Sequence, residues 1–231
     1  MFYGIDSTYI VLVVPALLLA MWAQATVKST FARYSQVFAH RGYTGADVAR
    51  LVLDHNGLQN VRIEHVQGSM TDHYDPRTNV VRLSDTVYGS TSVAAIGVAT
   101  HEVGHAIQHA EGYFPIKVRT AIIPLTNFGS QLAMPLILFG LLFNNSWLAQ
   151  VGILFFSFAV LFQLVTLPVE FNASGRALRI LDSTGILNEE EHRGARKVLR
   201  AAAMTYVAAT VVALAQLLRL IILFGGRRNR E

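Results

Sequence analysis

The 231-residue sequence contains no cysteine and unusually few charged residues. Without cysteine the chain can form neither a disulfide nor a zinc site built on thiolates. Cysteine usage therefore does not indicate whether the protein is in an oxidising or a reducing compartment. Only 15% of the residues are Asp, Glu, Lys or Arg, and 52% are hydrophobic. A soluble domain typically has about 25% charged residues. The shortage of charge therefore excludes an ordinary soluble domain and indicates a membrane protein.

Basic residues outnumber acidic ones and give a formal net charge of +4. They are nevertheless scattered, and most of them flank apolar runs, which is how membrane proteins use Lys and Arg. No basic stripe of the kind that binds phosphate backbones is present. We therefore expect no nucleic acid partner, and the bilayer itself is the first partner that the composition indicates.

Four apolar runs are long enough to cross a bilayer, which takes roughly 20 helical residues. They cover residues 9–27, 121–143, 147–169 and about 203–224. The first run is longer than a signal-peptide core and no Lys or Arg precedes it, so we expect an uncleaved anchor. The second and third runs are separated only by residues 144–146 and predict a helical hairpin. Arg219 in the last run must either snorkel to the interface or find a partner.

The distribution of Lys and Arg predicts the orientation of these spans. Segment 28–119 holds nine Lys or Arg residues and segment 170–200 holds six, whereas the hairpin turn holds none. Both basic segments lie on one face of a four-span arrangement, and the positive-inside rule makes that face cytoplasmic. The basic tail at 227–230 would then lie on the opposite side, contrary to the rule, unless the last helix does not fully cross.

Residues 28–119 form the only long polar stretch and predict a small α+β domain. A short helix begins at the capping pair Thr44 and Asp47 and ends at Gly57. Alternation at 61–66 predicts a strand, and Asp75-Pro76 predicts the turn of a hairpin with a return strand at 79–83. A helix follows from a cap near residue 90 to Gly112.

Two further helices are predicted after the third apolar run. One continues from 170 to about Gly185, and the last begins after Asn188 and continues into the fourth apolar run.

The fold class that follows is a mainly α membrane protein with about four transmembrane helices and a small α+β cytosolic domain. We expect five consecutive regions along the chain: an N-terminal anchor (1–27), the polar α+β domain (28–119), the transmembrane hairpin (120–169), surface helices (170–202) and a C-terminal transmembrane helix with a basic tail (203–231).

The stretch HEVGH at 101–105 carries the chemistry. His101 and His105 are four residues apart, so on a helix both rings project from one face and can bind the same ion, and Glu102 beside them can activate a zinc-bound water. His109 lies about 12 Å along the axis from His101, too far for one straight helix to share an ion. Glu111 stands where a bent-helix motif would require a histidine, which leaves it a weak ligand candidate.

A third ligand must therefore come from elsewhere in the chain. Glu170 follows directly after an apolar run of more than 20 residues and is surrounded by apolar neighbours, which makes it the best candidate. Ser174, one helical turn later, could hydrogen-bond a liganding histidine. One Zn²⁺ per chain, held by His101, His105 and Glu170, is the predicted cofactor.

The motif HEVGHAIQH, the motif VEFNAS, the N-terminal anchor and the apolar hairpin between the motifs together resemble the YugP-type bacterial neutral zinc metallopeptidases. These are integral membrane proteins and are distantly similar to HtpX-type gluzincins. The resemblance covers nearly the whole chain. It implies a zincin-like metalloprotease domain at 28–119 and a third zinc ligand in segment 170–202. The implied zinc ligands are His101, His105 and Glu170, with Glu102 as general base. HtpX-like members have an aspartate where this chain has Ser174.

The resemblance also implies a multi-pass protein of the bacterial inner membrane that acts on peptides or membrane proteins, and the distribution of Lys and Arg predicts that its active site lies on the cytoplasmic side. In gluzincins the substrate backbone pairs with an edge strand near the motif helix, which by similarity would be the return strand with Asn79, Val80, Val81, Arg82 and Leu83. An oxyanion stabiliser is expected as well. Its candidates, among which spacing does not choose, are Asn172, Arg176, Tyr113, Tyr74 and Tyr88.

The leading hypothesis is thus a membrane-embedded zinc endopeptidase of the gluzincin type. One alternative is a site-2-type intramembrane protease, with Asp182 of the LDSTG segment as the third ligand. Another is a non-catalytic scaffold braced by zinc, although structural zinc sites usually have four protein ligands and are rich in cysteine. The oligomeric state and the cleavage preference have no signature in the sequence.

Overall fold

Six α-helices and three short strands make up residues 6–225, the part of the chain that the computed structural model describes. In chain order they are α1 Val14–Tyr34, α2 Gly45–His55, β1 Arg62–Val66, β2 His73–Asp75, β3 Val80–Ser84, α3 Val93–Ala110, α4 Phe114–Leu142, α5 Ser146–Thr184 and α6 Glu189–Gly225. A π-helical stretch at Tyr9–Val13 leads into α1. The basic tail at 227–230 lies outside the described residues.

Four of the helices are long and apolar enough to cross a membrane. They are Tyr9–Tyr34, Phe114–Leu142, Ser146–Thr184 and Glu189–Phe224. Each covers one of the four apolar runs, the second of which extends one residue past its helix. The prediction of a mainly helical chain with four such helices is therefore confirmed. Helices α5 and α6 each extend well beyond their apolar run, as the helix signals at 170–185 and 188–191 indicated.

The chain divides into two compact units, each assembled from separate segments. The first unit comprises residues 6–23, 117–168 and 205–225 of the described chain, and the second comprises Gln24–Ile116 and Val169–Met204. All the strands, the motif helix α3 and the acidic residue after the third apolar run fall in the second unit. That unit therefore contains every residue that the sequence proposes for metal binding.

In the first unit, Arg219 forms an ion pair. It is 9% exposed, its Nη2 lies 3.3 Å from Asp6 Oδ2, and its guanidinium stacks over the Tyr9 ring at 5.2 Å. An arginine in an apolar helix is tolerated when a partner offsets its desolvation. Of the two expectations for Arg219, pairing is thus the one that the structure shows.

The sheet of the second unit has the order β1-β3-β2. Strand β1 pairs with β3 in parallel, with Arg62 opposite Val80, and β2 pairs with β3 antiparallel, with Tyr74 opposite Val81. The hairpin is the predicted one: the main-chain N–H of Arg77 donates to the Asp75 carboxylate across the turn.

The prediction of 79–83 as an edge strand for substrate is wrong. Strand β3 is hydrogen-bonded on both sides, and Asn79 lies just before it in the left-handed region with φ 55°. The hairpin accounts for one neighbour of β3. The second neighbour, β1, arrives through a parallel pairing that no local pattern indicates, since parallel partners are remote in sequence. The free edges belong to β1 and β2.

Helix α2 begins at the predicted capping box. The Thr44 side chain accepts from the Asp47 N–H, and the Asp47 carboxylate accepts from the Thr44 N–H. The helix ends before Gly57, which has φ +73°. Its apolar face, with Val48, Val52 and Leu53 fully buried, packs in one core with the motif helix.

Helix α3 lies at the centre of the second unit, since fourteen of its eighteen residues are buried. It is capped by Ser92, whose hydroxyl accepts from the Ala95 N–H at 3.2 Å, and it ends before Gly112, which has φ +66°. Buried valine, alanine and isoleucine surround it on the sides that face α2 and the sheet. The histidines on this helix are therefore held by a rigid, packed element.

Candidate metal centre

The two motif histidines and the acidic residue on α5 converge on one point. The rings of His101 and His105 lie 4.7 Å apart between centroids, as their spacing of four residues on α3 requires. Oε2 of Glu170 lies 3.3 Å from His101 Nε2 and 3.6 Å from His105 Nε2. The ligand atoms of all three residues lie within 4.8 Å of one another.

These distances fit a tetrahedral zinc site. Zinc binds histidine nitrogen and carboxylate oxygen at about 2.0–2.2 Å, which places neighbouring ligand atoms of a tetrahedron about 3.4 Å apart. Glu170 is 3% and His105 9% exposed, so the carboxylate and the His105 imidazole are held out of bulk water. A set of two nitrogens and one oxygen, with the fourth position left over, is a donor set that catalytic zinc accepts.

The other ring nitrogen of each histidine is held from behind. His101 Nδ1 lies 3.1 Å from Ser174 Oγ, and His105 Nδ1 lies 3.0 Å from Gln108 Oε1. An amide oxygen only accepts, so His105 carries its neutral-state proton on Nδ1 and keeps the Nε2 lone pair for a metal. These contacts are of the kind that orient ligating histidines.

The Gln108 amide has only one orientation that satisfies its neighbours. Its Nε2 donates to the main-chain carbonyl of Val169 at 2.8 Å and to Asn172 Oδ1 at 2.9 Å. A carbonyl accepts only, so the nitrogen must face α5 and the oxygen must face His105. Gln108 is fully buried, and it links the motif helix to the turn of α5 that carries Glu170.

Close packing of α3 against α5 depends on Gly104. A Cβ at this position would lie 2.8 Å from the main-chain oxygen of Ala173, a distance that real side chains do not tolerate. Ala173 is fully buried and follows Glu170 by three residues. The glycine within the HExxH stretch therefore lets the α5 main chain approach closely enough for Glu170 to reach the histidines.

The charged groups around His105 favour a cation at this site. Burial on its own lowers the pKa of His105, but the adjacent Glu170 and Glu102 carboxylates, together with Gln108, outweigh this effect and raise the pKa above its ordinary value. The two carboxylates thus favour positive charge at His105, Glu170 from ion-pair distance and Glu102 from farther away. Metal ions and protons compete for such a nitrogen.

Glu102 lies on the motif helix between the two histidines. It is 8% exposed and forms no ion pair with any residue in the described range 6–225. A nearly buried carboxylate without a cationic partner is costly. Packing alone therefore does not explain why a glutamate occupies position 102.

Comparison with known proteins identifies the family of this chain. The family described as "Putative neutral zinc metallopeptidase" matches residues 9–225. The chain belongs to this family. It is also 52% identical over 223 residues, covering 96% of this chain and 99% of the relative, to a Bacillus subtilis (strain 168) protein described as "Putative membrane protease YugP". The resemblance found in the sequence is thereby confirmed. No solved structure matches the chain.

The structure also locates the residues that the sequence proposed as oxyanion stabilisers. Asn172, Arg176 and Tyr113 form one network: Arg176 Nε donates to Asn172 Oδ1 at 2.7 Å, and the guanidinium stacks over Tyr113 at 5.9 Å. Arg176 also pairs with Glu111 at 2.7 Å. The network reaches His105 through Gln108.

The other two candidates, Tyr74 and Tyr88, lie in different surroundings. The Tyr74 hydroxyl donates to Asn79, and the Tyr88 ring packs against His65.

His109 and Glu111 lie outside the group that could hold a metal. The ring of His109 lies 5.5 Å from that of Tyr74, on the side of α3 that faces the sheet, while Glu111 caps the end of α3 and pairs with Arg176.

The site-2-type alternative is wrong in its ligand. Asp182 is exposed and follows Glu170 by twelve residues on the same helix α5, which separates the two by about 18 Å along the axis. It is not part of the group formed by His101, His105 and Glu170. The 18-residue motif helix is also not among the four candidate membrane spans found in the described chain.

Sequence reasoning missed Gln108. The available signal was its position three residues after His105, which puts both side chains on the same face of the helix. A glutamine in an otherwise apolar turn needs buried partners, and a histidine that needs orienting is one of them.

Replacing Gln108 by leucine is expected to lower zinc affinity roughly 10–100-fold, the usual cost of losing a residue that orients a metal ligand. Leucine fills a similar volume but accepts no hydrogen bond from His105 Nδ1. Titration with a competing chelator measures the change. Gln59→Leu, at an exposed position of the same unit, should keep wild-type affinity, and unchanged affinity in Gln108→Leu would rule out the orienting role.

Proposed function

We propose that the protein is a membrane-embedded, zinc-dependent endopeptidase of the gluzincin type. The observation that carries the proposal is the convergence of His101 Nε2, His105 Nε2 and Glu170 Oε2 while both Nδ1 atoms are held by hydrogen bonds from behind. Three protein ligands with no cysteine leave a coordination position open, which is typical of catalytic rather than structural zinc.

A bound zinc ion supplies Lewis acidity, which lowers the pKa of water toward about 7 and polarises a peptide carbonyl. The residues of the chain perform the remaining tasks. His101, His105 and Glu170 would hold the ion, and Ser174 and Gln108 fix the two rings. Glu102, adjacent and without a cationic partner, is placed to take the proton from the attacking water and to deliver it to the leaving amine.

Extended-peptide recognition is proposed for the free edge nearest the motif helix. Strand β2 contacts α3, whereas β1 contacts α2, so the open edge beside the helix is that of His73–Asp75. A cavity of about 220 Å³ adjoins this strand and includes Tyr74, Ala106 and His109 in its lining. An added strand would gain main-chain hydrogen bonds at the edge, and such a cavity can accept one of its side chains.

The bacterial inner membrane is the proposed location, with the peptidase residues on the cytoplasmic side. Four candidate spans and a relative described as a membrane protease support the bilayer environment. The fifteen Lys and Arg residues of segments 28–119 and 170–200 support the cytoplasmic assignment. In this arrangement segments 28–119 and 170–202 together form the peptidase part, residues 1–27, 120–169 and 203–231 anchor it, and the substrates are peptide segments of membrane proteins.

Metal removal tests the proposed activity directly. Purified full-length protein in detergent is expected to cleave an unfolded substrate such as casein, to lose this activity with 1,10-phenanthroline and to regain it with one equivalent of Zn²⁺. Peptide release measured by mass spectrometry checks the prediction. If chelation unfolds the protein but the zinc-loaded form cleaves nothing, zinc braces the structure and the proposal fails.

A further inference from the structure

A groove between α1 and α6 lies outside the proposed metal centre and has the chemistry of an anion site. It is about 340 Å³ in volume, within the range of about 300–1,000 Å³ typical of ligand pockets. Both walls are helical. Thr26, Thr30 and Arg33 line it from α1, and Lys197 and Arg200 line it from α6.

The two walls are matched helix faces. On α1 the lining residues recur at intervals of four and seven from Thr26, and on α6 the cations Lys197 and Arg200 are followed by Met204 at seven. Positions at these intervals share one side of a helix. The groove is thus formed by one stripe of each helix, and the three cations of the two stripes face the same space.

One end of the groove is closed by close helix contact. A Cβ at Gly194 of α6 would lie 2.8 Å from the Tyr34 ring of α1, so the helices touch there. The other end is lined by Thr26 and Met204. Thr26 lies at the end of the apolar run 9–27, and Met204 lies at the start of the run 203–224. Along its length the groove therefore passes from basic to apolar surroundings.

The cations in the groove have no acidic partner. No Asp or Glu is part of the described lining, and Arg33, Lys197 and Arg200 form no ion pair with any carboxylate between residues 6 and 225. Other cations of this unit do pair, for example Arg193 with Glu189. Arg33 lies over the Tyr34 ring at 5.7 Å, a contact that leaves its charge in place. Three cations without a carboxylate partner and two hydroxyls around one cavity leave a concentrated positive potential that an anion would neutralise.

We propose that this groove binds the phosphate of an anionic glycerophospholipid, with Arg33, Lys197 and Arg200 on the headgroup and the acyl chains leaving past Thr26 and Met204. Phosphate is the anion that suits guanidinium and ammonium donors together with hydroxyls. The change from basic to apolar surroundings along the groove favours a lipid over a soluble phosphate, because a soluble ligand gains nothing from the apolar end. Basic pockets between membrane helices bind lipid headgroups in this way.

The test compares two matched double variants of the full-length chain. Arg33→Gln/Arg200→Gln removes one groove cation from each helix. Lys28→Gln/Arg196→Gln removes one exposed cation from each of the same helices, at neighbouring positions that do not line the groove. Both variants lose two charges, so any difference between them reports on the groove and not on the general surface potential.

Native mass spectrometry of protein released from micelles doped with phosphatidylglycerol, or with phosphatidylcholine of the same acyl chains, measures lipid binding. Wild type is expected to bind phosphatidylglycerol preferentially and saturably. The groove variant should bind it roughly 30-fold more weakly, from about fivefold per basic side chain, and the control variant should bind like wild type. Equal losses in both variants, or no loss in either, overturn the site.

Competition distinguishes the sources of the anion. Free glycerol phosphate at the concentration of the lipid should leave the phosphatidylglycerol complex intact, and so should an acidic peptide. Displacement by glycerol phosphate would assign the groove to a soluble phosphate ester, and displacement by the peptide would assign it to an acidic protein segment. Either displacement overturns the lipid assignment. Zinc content of the variants, which should equal that of wild type, shows that they remain folded.

Discussion

Glu102→Gln is expected to lower the rate of peptide hydrolysis roughly 10²–10⁴-fold, the usual contribution of a general base, while the protein still binds one zinc ion. Glutamine keeps the size of the side chain and can still accept a hydrogen bond, but it cannot take a proton at neutral pH. Because the proposed ligands are His101, His105 and Glu170, the substitution leaves all three ligand atoms in place.

Two measurements separate the expected result from its alternatives. Steady-state cleavage of a quenched peptide gives the activity, and elemental analysis of the same preparation gives the zinc content. Glu190→Gln, an exposed glutamate at the start of α6, is the matched control and should leave both quantities unchanged. Loss of zinc in Glu102→Gln would contradict a pure proton-transfer role, and full activity with zinc bound would exclude Glu102 as the base.

Local sequence signals predicted the helices of this protein well because each signal acts within a few residues. The Thr44–Asp47 capping box, the positive-φ glycines at 57, 112 and 185, and the acidic start of α6 all lie where the sequence indicated. The four apolar helices are equally local, since length and composition alone define them. Even the grouping of Glu170 with the histidines was accessible, because an acidic residue in apolar surroundings requires a partner.

Contacts between segments that are remote in sequence could not be predicted from such local signals. The parallel pairing of β1 with β3 converts the expected edge strand into the central one, and no periodicity within 79–83 distinguishes these two situations. The pairing of Arg219 with Asp6 joins residues more than 200 positions apart. The role of Gln108 depends on the main-chain carbonyl of Val169, and sequence patterns do not display which main-chain groups accept such bonds.

The position of Glu170 within one continuous helix explains how an acidic side chain can remain buried beside two imidazoles. Helix α5 extends without a break through Ser146–Thr184, so the turn that carries Glu170 is supported by regular structure on both sides. Gly104 permits the close approach of the α5 main chain, and Gln108 ties the two helices together. The three residues depend on one another, since moving α5 outward would separate the carboxylate from both rings.

Glu170→Ala is therefore expected to abolish stoichiometric zinc binding and, with it, peptide hydrolysis. The substitution removes one of three ligands, so the loss of affinity should exceed the roughly 10–100-fold that follows from losing an orienting partner. Asp182→Ala is the control, because Asp182 is an exposed carboxylate of the same helix about 18 Å further along its axis. It should keep wild-type zinc content and activity.

The two variants also discriminate between ligand assignments. Elemental analysis after dialysis against a weak chelator gives zinc per chain, and circular dichroism verifies that the helical content of Glu170→Ala matches that of wild type. Glu170→Gln, which retains the volume of the side chain, guards against a loss caused by the cavity alone and should also lose zinc, because an amide oxygen is a weaker ligand than a carboxylate. Zinc retained in both Glu170 variants but lost in Asp182→Ala would reverse the assignment and place the third ligand at the end of α5.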